Sequence, residues 1–227
     1  MLLILGVNNA INAQTRETER TIMIRNVAII AVVAILSLLG GIWYSTKASI
    51  SECVGGNDII LGGLDQIGGP FNLVDHNGNA VTDVDVISKP TLLYFGYTFC
   101  PDVCPADTAR NAMASEILQE AGYDVQPAMV SIDPARDTPA VMKDFVFNLH
   151  EDMIGLTGSE EQVKNASLAY KTYFKKEENG DPEYYLMDHT VFSYLVIPGQ
   201  GTMAMFGRTP TPETVAEVSG CLIDAAK

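Results

Sequence analysis

Apolar and polar positions change period several times along this chain, and each change marks an element. "FNLVDHNGNAVT" (71–82) places apolar residues on both sides of an Asn-Gly turn and predicts a β-hairpin. "TLLYFGY" (91–97) is a short, almost unbroken apolar run, as in a strand buried on both faces. After Cys104 and Pro105, "ADTARNAMASEILQEAG" carries apolar residues at helical spacing until Gly122. "VQPAMVSID" (125–133) reads as a second buried strand. "DTPAVMKDFVFNLH" (137–150) predicts a helix with Thr138 as N-cap and Pro139 at the first turn. "SEEQVKNASLAYKTYF" (159–174) predicts another, with acids in its first turn where the macrodipole favours them. The charged "KKEENGDPE" is a loop, and "TVFSYLVI" (190–197) and "TMAMF" (202–206) flank a "PGQG" turn as a second hairpin. "TPETVAEVSGCLIDAA" (211–226) closes the chain with another Thr-Pro helix start.

That order is α/β: hairpin, strand, helix, strand, two helices, hairpin, helix. A strand–helix–strand core ending in a hairpin and a helix is the thioredoxin plan, with a cysteine pair at the first strand–helix junction. One thioredoxin-like domain is expected over residues 64–227.

The N-terminal part follows a different pattern. "VAIIAVVAILSLLGGIWY" (27–44) carries no charge, is just long enough to cross a bilayer, and ends in the interfacial aromatics Trp43 and Tyr44. Arg16, Arg20 and Arg25 precede it, so the positive-inside rule puts residues 1–26 in the cytoplasm and the domain in the periplasm. The run is long for the apolar region of a cleaved signal peptide, and "STKAS" around Ala48 is a poor cleavage site. Residues 45–63, rich in Ser, Gly and Asn, read as a tether. Residues 1–22 are not Arg-rich and read as a dispensable extension, because Met23 opens an ordinary short leader. The chain's net charge of −14 falls entirely on the part beyond the tether's start, since the first fifty residues are net positive. So acidic a domain repels phosphate backbones, which argues against nucleic acid as a partner.

The chemistry centres on two thiols. In "YFGYTFCPDVCPADTAR", Cys100 ends a strand and Cys104 stands at or near a helix N-cap. Unpaired amides there stabilise anions, so both thiols are expected below the free value of about 8.5. C-x-x-x-C serves disulfide exchange or metal binding. Two thiolates leave a metal under-coordinated, and the chain has three histidines. His76 lies in an exposed turn. His150 sits near a helix C-terminus, where its positive form would complement the dipole. His189 precedes the strand of the closing hairpin, whose entry faces the cysteine pair in thioredoxin-like folds. Cys100, Cys104 and His189 together make a soft mixed site suited to copper; zinc fits the same ligands but usually takes a fourth in structural sites. Asp188 is a candidate to orient His189. Met187, Met203 and Met205 are expected to pack rather than ligate. A peroxidase of the peroxiredoxin type would want Thr or Ser where Tyr97 stands. Cys53 and Cys221 remain, and an even cysteine count outside the cytoplasm invites a structural disulfide between them.

The runs "YFGYTFCPDVCP", "SIDPARDTP" and "MDHTVFSYLV" resemble, in order, the signature segments of the SCO/SenC family. The likeness covers roughly Gly68 to Phe206. It implies a membrane-anchored, thioredoxin-fold copper protein of the inner membrane that assists assembly of the CuA centre of cytochrome c oxidase. The implied ligands are Cys100, Cys104 and His189. The implied partners are the CuA-bearing oxidase subunit or another copper chaperone. A membrane-tethered thiol–disulfide reductase is the alternative, since CuA assembly also needs reduced cysteines. Asp133, Arg136 and Asp137 of the second segment are expected to be structural.

Overall fold

The computed structural model describes residue 23, residues 25–39, residue 53, residues 57–177 and residues 184–227. The expected extension, residues 1–22, lies outside the described residues. The chain divides into an N-terminal unit, Met1–Glu52, and a folded unit, Cys53–Lys227. In the first, residues 25–39 form a helix, α1, whose apolar side chains Val27, Ile29, Ile30, Val33, Leu36 and Leu38 are exposed. No helix among the described residues is long and apolar enough to cross a membrane, and the far end of the expected span, residues 40–44, lies outside them.

The folded unit is built on an eight-stranded mixed sheet. Its strands are β1 (Ile59–Leu61), β2 (Asn72–Asp75), β3 (Ala80–Thr82), β4 (Thr91–Gly96), β5 (Gln126–Ser131), β6 (Ile154–Thr157), β9 (Ser193–Ile197) and β10 (Gly201–Phe206). They lie in the order β1-β10-β9-β4-β5-β6-β2-β3. The parallel centre β4-β5-β6 is joined by helical crossovers, whereas β9 returns antiparallel against β4 and β10 antiparallel against β9. A separate hairpin pairs β7 (Phe174–Lys176) with β8 (Met187–His189), setting Phe174 opposite His189. The helices are α2 (Asp83–Val86), α3 (Val103–Glu120), α4 (Pro139–Phe147), α5 (Glu160–Ala169) and α6 (Pro212–Ala225).

Local chemistry accounts for most boundaries. Thr138 Oγ1 accepts the Val141 amide at the start of α4, and Thr211 Oγ1 accepts that of Thr214 at the start of α6. Ser159 and Gln162 form a reciprocal capping box on α5. That helix ends sooner than its apolar pattern predicts, because Lys171 takes a left-handed φ of 54° and the Thr172 amide turns back onto Ser167 O. Every residue of β4 is buried, because helices cover both of its faces. Leu92 packs with Leu118 and Leu222, while Leu93 and Phe95 pack with Val163, Ala166 and Tyr170.

Part of the segment read as a tether is structured. Cys53 is disulfide-bonded to Cys221 on α6, with 5.6 Å between their Cα atoms, and β1 extends the sheet beside β10. Four elements were not anticipated: β1, the one-turn α2, β6, and the β7–β8 hairpin.

Candidate metal centre

The two thiols sit where β4 hands over to α3. The turn after Gly96 brings Cys100 back toward the sheet, and α3 opens at Val103 with Asp102 as N-cap. Cys104 therefore stands inside the first helical turn rather than at its cap. The Asp102 side chain makes no capping bond. A sulfur takes over part of that role: the Cys104 amide donates to Cys100 Sγ at 3.3 Å. Both cysteines are free and buried.

β8 delivers the third group. His189 Nδ1 lies 2.9 Å from the Thr190 carbonyl oxygen, which only accepts, so Nδ1 carries the proton of the neutral ring. Nε2 is left with its lone pair 3.3 Å from Cys104 Sγ. Tyr94 and Tyr97 hold the imidazole edge-on, with ring centroids 6.3 and 5.9 Å away. The two sulfurs and a ring nitrogen of His189 all lie within 4.8 Å of one another. Among the described residues this is the only group of three or more such side chains so placed.

The protonation state differs from the sequence expectation. Burial pushes the Cys104 thiol well above its ordinary range, and the hydrogen bond with Cys100 adds to the rise, outweighing the opposing Tyr97 amide and Tyr94 hydroxyl. Cys104 is fully enclosed, so desolvation of a thiolate exceeds what a helix N-terminus returns. Burial likewise lowers His189, against the Thr190 carbonyl and the charges of Asp107 and Asp188. The resting pair is a neutral thiol donating to a neutral imidazole. A cation held among these donors would displace the thiol protons and supply the positive charge that a buried thiolate lacks. Two sulfurs and one imidazole suit a soft, thiophilic ion, and the residues present fit copper in that respect.

The other sequence candidates lie elsewhere. His76 Nδ1 accepts the Gly155 amide, and His150 Nδ1 accepts the Asp152 amide, each at 3.0 Å. The second bond ties His150 into the turn that follows α4. Asp188 is exposed between two half-buried neighbours on β8, cross-strand from Lys175, and reaches His189 only as a nearby charge. Met187, Met203 and Met205 pack against the two cores.

Three contributors were not singled out from sequence. Tyr94, fully buried, donates its hydroxyl to Asp107 Oδ2 at 3.3 Å while also reaching the Cys104 sulfur. Asp107 is buried and faces Arg110 and Arg208 at 3.8 and 3.9 Å; burial raises its carboxyl despite both guanidiniums. Gly96 leaves the space that the Cys104 sulfur fills, since a Cβ there would lie 3.0 Å from Sγ. A lone glycine inside a run of large residues was the available signal for such a close approach.

A thioredoxin-like α/β fold with a buried two-sulfur, one-imidazole cluster defines the class. Residues 62–224 match the SCO1/SenC family, and the chain belongs to it. SenC of Rhodobacter capsulatus is 49% identical over 160 residues, covering 70% of this chain and 72% of SenC. The crystal structure of Arabidopsis thaliana ScoI with copper bound superposes with a TM-score of 0.65 at 36% identity, covering 70% of this chain and 99% of that one. Bradyrhizobium japonicum ScoI with copper bound gives a TM-score of 0.62 at 38% identity, covering 68% and 98%.

Proposed function

We propose that this chain is a membrane-anchored copper chaperone that takes one copper ion on Cys100, Cys104 and His189. The observation that carries the reading is the convergence of those three donors within 4.8 Å, with the His189 Nε2 lone pair already turned inward. The copper-bound state of two relatives with the same fold supports the choice of metal. Thiolates favour Cu(I) and the imidazole helps retain Cu(II), so this donor set serves an ion that is to be handed on in either state. The family resemblance extends the proposal to the recipient, the CuA-bearing subunit of cytochrome c oxidase. The architecture that goes with it is a cytoplasmic segment over 1–26, an anchor over 27–44 and a periplasmic copper-binding domain. Support for the anchor is the uncharged run itself and the exposure of its apolar side chains along α1.

Titrating the reduced full-length chain in detergent with copper tests the proposal. The expected result is one equivalent bound, with a thiolate-to-Cu(II) absorption band that alkylation abolishes. His189→Ala is expected to weaken Cu(II) binding by at least about tenfold while sparing Cu(I) more, because the sulfurs dominate the softer ion. Unchanged Cu(II) binding in that variant refutes the ligand set. Release of the chain from membranes by alkaline carbonate refutes the anchor.

A further inference from the structure

The segment Ser131–Thr138, "SIDPARDT", supplies none of the three donor atoms, yet it grips the two pieces of chain that carry them. On the thiol side, Asp137 is fully buried and accepts from Thr98, the amide reaching Oδ2 at 3.1 Å and the hydroxyl Oδ1 at 2.5 Å. Thr98 lies two residues before Cys100. On the imidazole side, Asp133 Oδ1 accepts the Tyr185 hydroxyl at 2.7 Å, and Tyr185 lies four residues before His189. Ser131 joins the Asp137 carboxylate to the Asp133 backbone: its hydroxyl donates to Asp137 Oδ2 at 2.6 Å and accepts the Asp133 main-chain amide at 3.0 Å. Arg136 completes the arrangement. Its Nε donates to Asp133 Oδ2 at 2.5 Å, and its guanidinium lies over Tyr185, Phe99 and Tyr97 at 3.6, 4.7 and 5.7 Å from the ring centroids. Tyr97 returns the connection by accepting the Met187 amide at 3.2 Å.

An Asp-Pro turn and a Thr-capped helix explain Pro134, Thr138 and Pro139, but not two buried aspartates, one bonded to each ligand-bearing segment, with a serine hydroxyl bridging the Asp137 carboxylate to the Asp133 amide. Charge-assisted hydrogen bonds at buried sites are the stronger kind, and networks of them hold separate segments in one geometry. We propose that this segment is a clasp, in which Ser131, Asp133, Arg136, Asp137 and Tyr185 are positioning residues that set the Cys100 turn and the His189 strand in register as one unit. The inference rests on reading Cys100, Cys104 and His189 as a single metal site. It accounts for how donors from chain segments far apart in sequence are held in one geometry, so that little reorganisation would accompany capture or release.

The experiment uses the reduced, metal-free full-length chain in detergent, so that it stands apart from copper binding. The readouts are the alkylation rate of Cys100 by iodoacetamide, mapped by peptide mass, and the imidazole ¹⁵N signature of His189, a single Nδ1–H tautomer in the wild type. Ser131→Ala removes the joining hydroxyl, which itself bonds to Asp137 and the Asp133 amide and to neither ligand-bearing segment. It is expected to raise Cys100 alkylation about tenfold, as for a buried hydrogen-bond link turned into local opening, and to replace the single His189 tautomer by an averaged one. Tyr185→Phe and Asp137→Asn are expected to disturb both readouts, each including the segment it does not contact. A fall in melting temperature with both signatures intact overturns the clasp, as does a set of variants that each disturb only their own side. Should Ser131→Ala fail to fold, Tyr185→Phe, which loses a single hydroxyl, decides by its effect at Cys100. Failure of the wild-type chain to take up copper refutes the metal reading by a separate measurement.

Discussion

Replacing Gly96 by alanine tests how closely the sheet fits the Cys104 sulfur. A methyl group built there lies 2.7 Å from Tyr94 Cε1, 3.0 Å from Cys104 Sγ and 3.3 Å from Cys104 Cβ, where ordinary contacts begin near 3.4 Å. The sulfur must therefore retreat by about 0.5 Å and the Tyr94 ring by more, although both side chains are fully buried. Gly96 has no left-handed φ, so the cost is steric rather than conformational. Overpacking of this kind costs about 1–3 kcal/mol, and at 2–4 °C per kcal/mol the melting temperature should fall by roughly 2–12 °C. The effect on metal binding should be larger in proportion. A shift of about 0.5 Å exceeds the roughly 0.2 Å latitude of a good ligand position, so a drop in copper affinity of about tenfold or more is expected. Thermal unfolding of the metal-free chain and copper titration read the two quantities separately. Gly220→Ala on α6 is the control: its methyl would make only ordinary contacts, the nearest at 3.4 Å to Tyr123, and alanine is the better helix former. It should be neutral or stabilising by up to about 1 kcal/mol. If Gly96→Ala melts and binds copper like the wild type, the cavity for the sulfur is not the constraint described here.

Two further expectations concern the covalent and ionic framework. The Cys53–Cys221 bond closes a separation of 168 residues, for which chain entropy alone predicts about 5 kcal/mol as an upper figure. The double serine variant should melt roughly 10–20 °C lower and become indifferent to reductant; an unchanged melting curve refutes a stabilising staple. Burial raises Asp107 above 3.8, so the folded state holds its proton more tightly than the unfolded chain. The stability this contributes is fully present below 3.8 and is lost as pH rises through the folded value. Wild type should accordingly gain on Asp107→Asn as the solution is acidified from neutrality toward pH 4, measured by urea unfolding, and a difference independent of pH refutes the assignment.

How much was legible in the sequence follows from how local each cause is. The starts of α4, α5 and α6 were readable because Thr138, Ser159 and Thr211 bond to amides three residues on, and the β2–β3 turn because Asn77-Gly78 sits at its tip. β6 was missed because "IGLT" is too short to show a period, and what makes it a strand is its place between β5 and β2. The β7–β8 pairing was missed for the same reason: the register of Phe174 with His189 is a property of the fold, not of either segment.

The same division runs through the site. Residue type and order singled out Cys100, Cys104 and His189, the three side chains the fold brings together, because the possible donors are few and thioredoxin topology orders the segments that bear them. Their charge was not readable, because two effects compete at Cys104 and only one leaves a local trace. A helix N-terminus is visible in Pro105 and the residues after it, and it favours the thiolate. The opposing effect comes from Tyr94, Gly96 and the strand bearing His189, which together exclude water from the sulfur, and it prevails. A thiophilic cation held by Cys100, Cys104 and His189 would reverse that balance by supplying the positive charge. The dry enclosure that keeps Cys104 protonated would then be the low-dielectric surrounding in which a thiolate–metal bond is strengthened. Burial thus makes the Cys104 thiol a weak nucleophile, and on the proposed reading the same burial would strengthen its bond to a thiophilic ion.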